Sequence, residues 1–194
     1  MRVISGTARG KTLKMVPGDT TRPILDRAKE SLFSILHPLI PNTRWLDVFA
    51  GTGQVGLEAL SRGAAEVVFV DAARPAIRTI QENLAATKLA ENATIHQGDA
   101  FVYLKRLAAG QIPPFDLIYI APPQYKRLWV EALQIIEENV ATCLTEGGLV
   151  VVQIDPQEAE GFTTTHLHRY DERRYGRTLF YFYEFEPTGE ADAK

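Results

Sequence analysis

From Trp45 onward, short apolar runs alternate with stretches whose apolar residues recur at helical spacing. The apolar runs predict strands at 44–48, 65–71, 93–97 and 115–120, and the periodic stretches predict helices at 53–62, 73–89, 99–107 and 127–141. Strand and helix alternating at this spacing predict a parallel sheet with helices on both faces. Gly147-Gly148 then turns the chain into another apolar run, LVVVQI. Strand-like segments follow at 162–169 and at 178–185 (TLFYFYEF). These last two read as a hairpin closing one sheet edge, which gives an open, mostly parallel, seven-stranded sheet. Ahead of this core, residues 2–15 read as two short strands around Gly6 and Gly10, and Asp26 opens a helix to about Ile40. The expected organisation is an N-terminal β-hairpin and helix extension (1–40), an α/β core (41–186) and a small, polar, frayed tail (187–194).

A chain of 194 residues, 45% apolar and 23% charged, suits one globular domain with its own core. It has no apolar run of about eighteen residues, the length that spans a bilayer. Its start, MRVISGTARGK, lacks the apolar segment of a signal peptide, so a cytoplasmic protein is the simplest expectation. Cys143 has no second cysteine to pair with, and His37, His96, His166 and His168 lack ligand spacing, so no metal site is expected.

The net charge of −3 carries no global basic signature, but the charges are unevenly placed. Residues 1–30 hold seven basic side chains against three acidic ones. A second cluster, His166, His168, Arg169, Arg173, Arg174 and Arg177, is interrupted only by Asp171 and Glu172. Both suit contact with phosphate, with Arg22, Arg27, Arg173 and Arg174 as the candidate phosphate contacts.

The densest chemical signal is WLDVFAGTGQVGLEALSRG, a strand, a glycine turn and an amphipathic helix in succession. Gly51, Gly53 and Gly56 satisfy the dinucleotide pattern G-x-G-x-x-G, and Asp71 ends the next strand. Taken alone, that pattern means a nicotinamide cofactor. Asp47 argues otherwise, because a carboxylate where the turn begins opposes a pyrophosphate seeking bare N–H groups. A cofactor with a cationic amino-acid end fits better, and S-adenosylmethionine carries both an ammonium and a sulfonium. Asp47, Gly51 and Gly53 then hold that end, Asp71 accepts from the ribose hydroxyls, and Asp99, at the next strand exit, is placed for the adenine amine.

The fourth strand, FDLIYI, runs into Ala121-Pro122-Pro123-Gln124-Tyr125. Two prolines stiffen the exit and supply carbonyl oxygens with no competing N–H, an arrangement that can accept from an amine held against a methyl donor. Pro122, Gln124 and Tyr125 are therefore the candidate catalytic residues.

The chain also resembles a known family, the bacterial small-subunit (16S) ribosomal RNA guanine-N2 methyltransferases of the class named for guanine 966. MRVISGTARGKTL, RPILDRAKESLFSIL, LDVFAGTGQVGLEALSRGA and RYGRTLFYFY carry the likeness, which covers nearly the whole length. The resemblance implies a Rossmann-like class I fold, S-adenosylmethionine as cofactor, and ribosomal RNA or the assembling 30S subunit as partner. It implies transfer of a methyl group to an exocyclic guanine amine. The catalytic loop departs from the family, which has Asp-Pro-Pro followed by Tyr or Phe where this chain has Ala121-Pro122-Pro123-Gln124. The Gln124 side-chain oxygen is then the candidate replacement acceptor, and Tyr125 the candidate stacking surface for an extruded base. The departure leaves two alternatives, a non-catalytic RNA-binding or assembly protein and a methyltransferase with a different acceptor.

Overall fold

The apolar runs pair into one seven-stranded sheet in the computed structural model, which describes residues 1–18, 24 and 26–186. The strands are β1 (Arg44–Asp47), β2 (Glu66–Asp71), β3 (Ala93–Gln97), β4 (Phe115–Ile120), β5 (Leu144–Ile154), β6 (Leu167–Tyr175) and β7 (Thr178–Phe185). Their order across the sheet is β3-β2-β1-β4-β5-β7-β6. The first five are mutually parallel, while β7 runs antiparallel to both β5 and β6. This is the doubly wound, Rossmann-like arrangement that the alternation predicts.

Among the described residues six α-helices, α1 (Asp26–Leu36), α2 (Gln54–Ser61), α3 (Arg74–Thr87), α4 (Ala100–Ala108), α5 (Leu128–Glu138) and α6 (Val140–Cys143), cover the sheet. Each inner strand buries both its faces. In β1, Trp45 joins the cluster under α1, α2 and α3, while Leu46 joins the cluster under α4, α5 and α6. The same alternation sends Asp47 to the first face at the strand's carboxyl end. Gly56 lets α2 lie directly on β2, since a Cβ there would stand 2.3 Å from the Phe69 ring.

Residues 1–16 form a strap over α2 in which the expected hairpin is short, residues 1–3 pairing antiparallel with 11–13 through Val3 N to Lys11 O and Leu13 N to Met1 O. A single bridge, Arg2 to Thr12, lies at the centre of that pairing. Three donors of the connecting loop turn to side chains on α2. Ile4 and Ser5 donate to the two Glu58 carboxylate oxygens at 2.8 and 2.9 Å, and Ala8 donates to Ser61 Oγ. Glu58 also meets the fully buried Lys29 ammonium at 3.5 Å, so α1, α2 and the strap share one buried charge cluster. Asn83 on α3 ties residue 14 to the glycine turn, accepting from Lys14 N and donating to the Thr52 carbonyl.

Other boundaries shift for local reasons. Helix α1 ends at Leu36, and Pro38 starts a single 3-10 turn in place of a helix to Ile40. Strand β5 begins before Gly147-Gly148. Those glycines fall in an irregularity where β4 advances from Phe115 to Leu117 while β5 advances from Leu144 to Leu149. Strand β6 lies later than the expected 162–169, because LHRYDERRY is a charged edge strand with no period-two apolar signal. The expected tail, 187–194, lies outside the described residues.

Candidate functional site

The carboxyl ends of β1, β2, β4 and β5, with the Asp99 turn after β3, open onto a cleft of about 1140 Å³. Asp47, Gly51, Asp71, Asp99, Pro122, Gln124 and Tyr125 all line it. Gly53 sits just beneath, at φ +75°, opening α2 in the left-handed conformation that glycine tolerates. Arg27, Arg173 and Arg174 do not line the cleft. Arg27 is exposed on α1, while Arg173 and Arg174 lie on the outer strand β6, engaged with Asp171 and with the Gly176 carbonyl. Arg22 lies outside the described residues.

On the β1–β2 side, Asp47 is buried and its Oδ1 has no hydrogen-bond partner among the described residues. Burial pushes its carboxyl up to about 7, against the pull of the Gly56 N–H, with the Asp71 charge raising it further. A buried carboxylate with one oxygen unpaired is costly unless a cation meets it, so the residues present fit a cationic ligand end. Gln54 Oε1 is a second buried acceptor without a partner on the same wall.

Asp71 organises the turn itself. Its Oδ2 accepts from Gly51 N at 2.8 Å and its Oδ1 from Ala73 N at 2.8 Å. Each oxygen keeps a second lone pair for ligand hydroxyls. Asp99 caps α4 by accepting from Phe101 N and Val102 N on Oδ1 alone, which leaves Oδ2 for a ligand.

On the β4–β7 side the loop after β4 is clamped to the segment after β5. Tyr125, at φ +64°, donates its N–H to Glu158 Oε1 at 2.7 Å, and Arg127, at φ +54°, reaches Glu160. Non-glycine residues in this region cost free energy, and the clamp holds them there. Gln124 is exposed, and its side chain makes no hydrogen bond among the described residues. Ala121 lines the cleft and packs against the core, leaving no carboxylate at that rung.

Several cleft residues carry weak sequence signals. Tyr119 donates to Gln153 Oε1 at the cleft floor. Burial, together with the Asp47 charge, keeps the Tyr119 phenol well above its usual range, so it remains a neutral donor. Asp155 is buried and gathers Arg177 and Tyr125 onto Oδ2. The Gln157 N–H, then Arg177 and Tyr125, hold its carboxyl below the usual range. Its one legible sign is the capping box Asp155-Pro156-Gln157-Glu158.

A family profile described as "Conserved hypothetical protein 95" matches residues 1–184. The chain is 37% identical to the "Putative rRNA methyltransferase YlbH" of Bacillus subtilis, over 92% of this chain and 95% of that one. It is 31% identical to the "Ribosomal RNA small subunit methyltransferase D" of Escherichia coli K12, over 100% of this chain and 94% of that one. Among solved structures, the "Putative methyltransferase yhhF from Escherichia coli" superposes with a TM-score of 0.81 at 32% identity, covering 96% and 98% of the two chains. With the whole fold and nearly the whole length matched, the chain belongs to the conserved hypothetical protein 95 family, that of ribosomal RNA small subunit methyltransferase D.

Proposed function

We propose that this protein is an S-adenosylmethionine-dependent methyltransferase that modifies the exocyclic N2 amine of a guanine in small-subunit ribosomal RNA. The observation that carries the reading is the buried Asp47 carboxyl, its Oδ1 unpartnered, at the start of a glycine turn, facing a cleft whose other wall is a proline-stiffened loop. The full-length likeness to proteins named for methylation of small-subunit ribosomal RNA supports the substrate class. When bound, the sulfonium cofactor supplies an electrophilic methyl group.

Asp47 pairs with the cofactor's ammonium, Gly51 and Gly53 let it approach the backbone closely, Asp71 accepts from its ribose, and Asp99 Oδ2 accepts from its adenine amine. Pro122 offers a carbonyl oxygen to one hydrogen of the guanine amine, and Gln124 offers a second acceptor from the loop. Those acceptors orient the nitrogen lone pair toward the methyl carbon. Tyr125 gives the extruded base an exposed ring to stack on. The nitrogen–carbon bond forms as the carbon–sulfur bond breaks, and the nitrogen loses a proton to water at the cleft mouth. Positioning dominates, since the amine needs no strong base before attack. Arg22, Arg27, Arg173 and Arg174 contact phosphates of the RNA or of the assembling 30S subunit, outside the cleft. Residues 1–40 act as an RNA-facing unit beside the core, and the protein works in the cytoplasm, where its substrate is made.

The test incubates the protein and methyl-labelled S-adenosylmethionine with small subunits lacking base methylation, then maps the labelled nucleotide by nuclease digestion and mass spectrometry. Label on one guanine N2, reduced in Gln124→Ala, is the expected result. Cofactor binding without transfer to subunits or RNA would refute the reading and favour a binding role, to which Ala121 in place of an acid also points.

A further inference from the structure

Arg177 is the one arginine among the described residues that lines the cleft, at the turn into β7. Its guanidinium is held on one side. Nε and Nη2 donate to Asp155 Oδ2 at 3.0 and 2.9 Å, and Nη2 also donates to the Tyr125 hydroxyl at 3.0 Å. Asp155 is itself 2% exposed and fixed by the Gln157 N–H at 3.0 Å. Nη1 makes no hydrogen bond among the described residues, although the side chain is 59% exposed. A guanidinium neutralised by a buried carboxylate is a poor phosphate anchor. It is instead an oriented donor with one free end, the arrangement that reads an acceptor on a base edge.

The sheet order says which acceptor. Asp71 and Asp47 stand at the ends of β2 and β1, the Pro122 loop follows β4, and Arg177 enters β7 two strands beyond β4. A purine lying on the Tyr125 ring between them, with its 2-amine toward β1, directs the other end of its Watson–Crick edge toward β7. In guanine that end is the O6 carbonyl. Adenine, turned to put its one amine toward β1, presents C2–H at that end and offers the arginine no acceptor.

We propose that Arg177 Nη1 donates a hydrogen bond to O6 of the target guanine, with Asp155 as the positioning residue, so that this pair selects guanine over adenine. This rests on the methyltransferase reading above. The test uses small subunits reconstituted with either guanine or 2-aminopurine at the labelled nucleotide, since 2-aminopurine keeps the 2-amine and lacks O6. Wild-type protein and Arg177→Met are compared on both, with cofactor binding measured alongside.

The expected result is a loss of roughly tenfold to a hundredfold in kcat/KM for wild type on 2-aminopurine. A similar loss is expected for Arg177→Met on guanine, with little further loss when the two changes are combined. Cofactor affinity stays unchanged in the variant. Equal factors lost by both proteins on 2-aminopurine would overturn the proposal, because Arg177 would then act on phosphate or on the loop alone. No transfer by wild type to guanine subunits would overturn the methyltransferase reading, and this one with it.

Discussion

On the β1–β2 side of the cleft, Asp47, Gly51 and Asp71 lie within one strand-turn-helix-strand unit, and backbone geometry fixes them. On the β4–β7 side, Tyr125, Asp155 and Arg177 come from three separate segments, and only side-chain contacts join them. The first wall carries a buried acid with one unpartnered oxygen, ready for a cation. The second satisfies its acid internally and leaves an arginine nitrogen outward. A cofactor common to many enzymes suits a wall built from contiguous sequence, while a particular base suits a wall assembled from separate segments.

Removing the support under the first wall should have the largest effect. Glu58→Ala leaves Lys29 buried without its carboxylate and strips the acceptors from Ile4 and Ser5. A destabilisation of about 3–5 kcal/mol is expected, read as a lower denaturation midpoint. Asp47→Asn should instead leave the fold intact and weaken cofactor binding by roughly a hundredfold in calorimetry. Both results would show that the cofactor wall depends on buried charge; normal cofactor binding by Asp47→Asn would break that half of the comparison.

The same carboxyl gives a pH signature. Its pKa is raised from 3.8 to about 7, so the folded protein holds this proton more tightly than the unfolded chain. The stability it contributes is therefore present below pH 3.8 and is lost as pH rises through 7. Cofactor affinity should move the opposite way, rising several-fold between about pH 6 and 7.5 as the carboxylate ionises. Asp47→Asn should flatten that profile.

On the acceptor wall, Ala121→Asp restores a carboxylate beside the proline carbonyl and should raise the methyl-transfer rate by roughly tenfold to a hundredfold in single-turnover assays. An unchanged rate would mean that the loop already supplies the needed acceptors. Asp155→Asn should raise KM by roughly tenfold or less, with cofactor affinity constant, by loosening Arg177 and Tyr125 together. The smallest effect belongs outside both walls. Arg173→Ala and Arg174→Ala should each weaken RNA binding only a few-fold and reduce the salt dependence by about one contact.

The alternation of apolar runs determined the seven strands, their parallel core and the glycine turn, because each depends on periods and residue types within a few positions of chain. The same local logic picked out Asp47, Asp71, Asp99 and the Pro122 loop as neighbours at the strand ends. It misplaced β6, whose charged residues give no apolar period, and it gave no sign that the loop of the N-terminal hairpin is held by Glu58 and Ser61, more than fifty residues away. Only the tertiary structure decided that Asp47 is buried with one oxygen unpartnered, that Arg173 and Arg174 lie on an outer strand, and that Arg177 turns inward onto Asp155. Burial and side-chain pairing between distant segments depend on how strands are ordered in the sheet, and no spacing within the chain encodes that order directly.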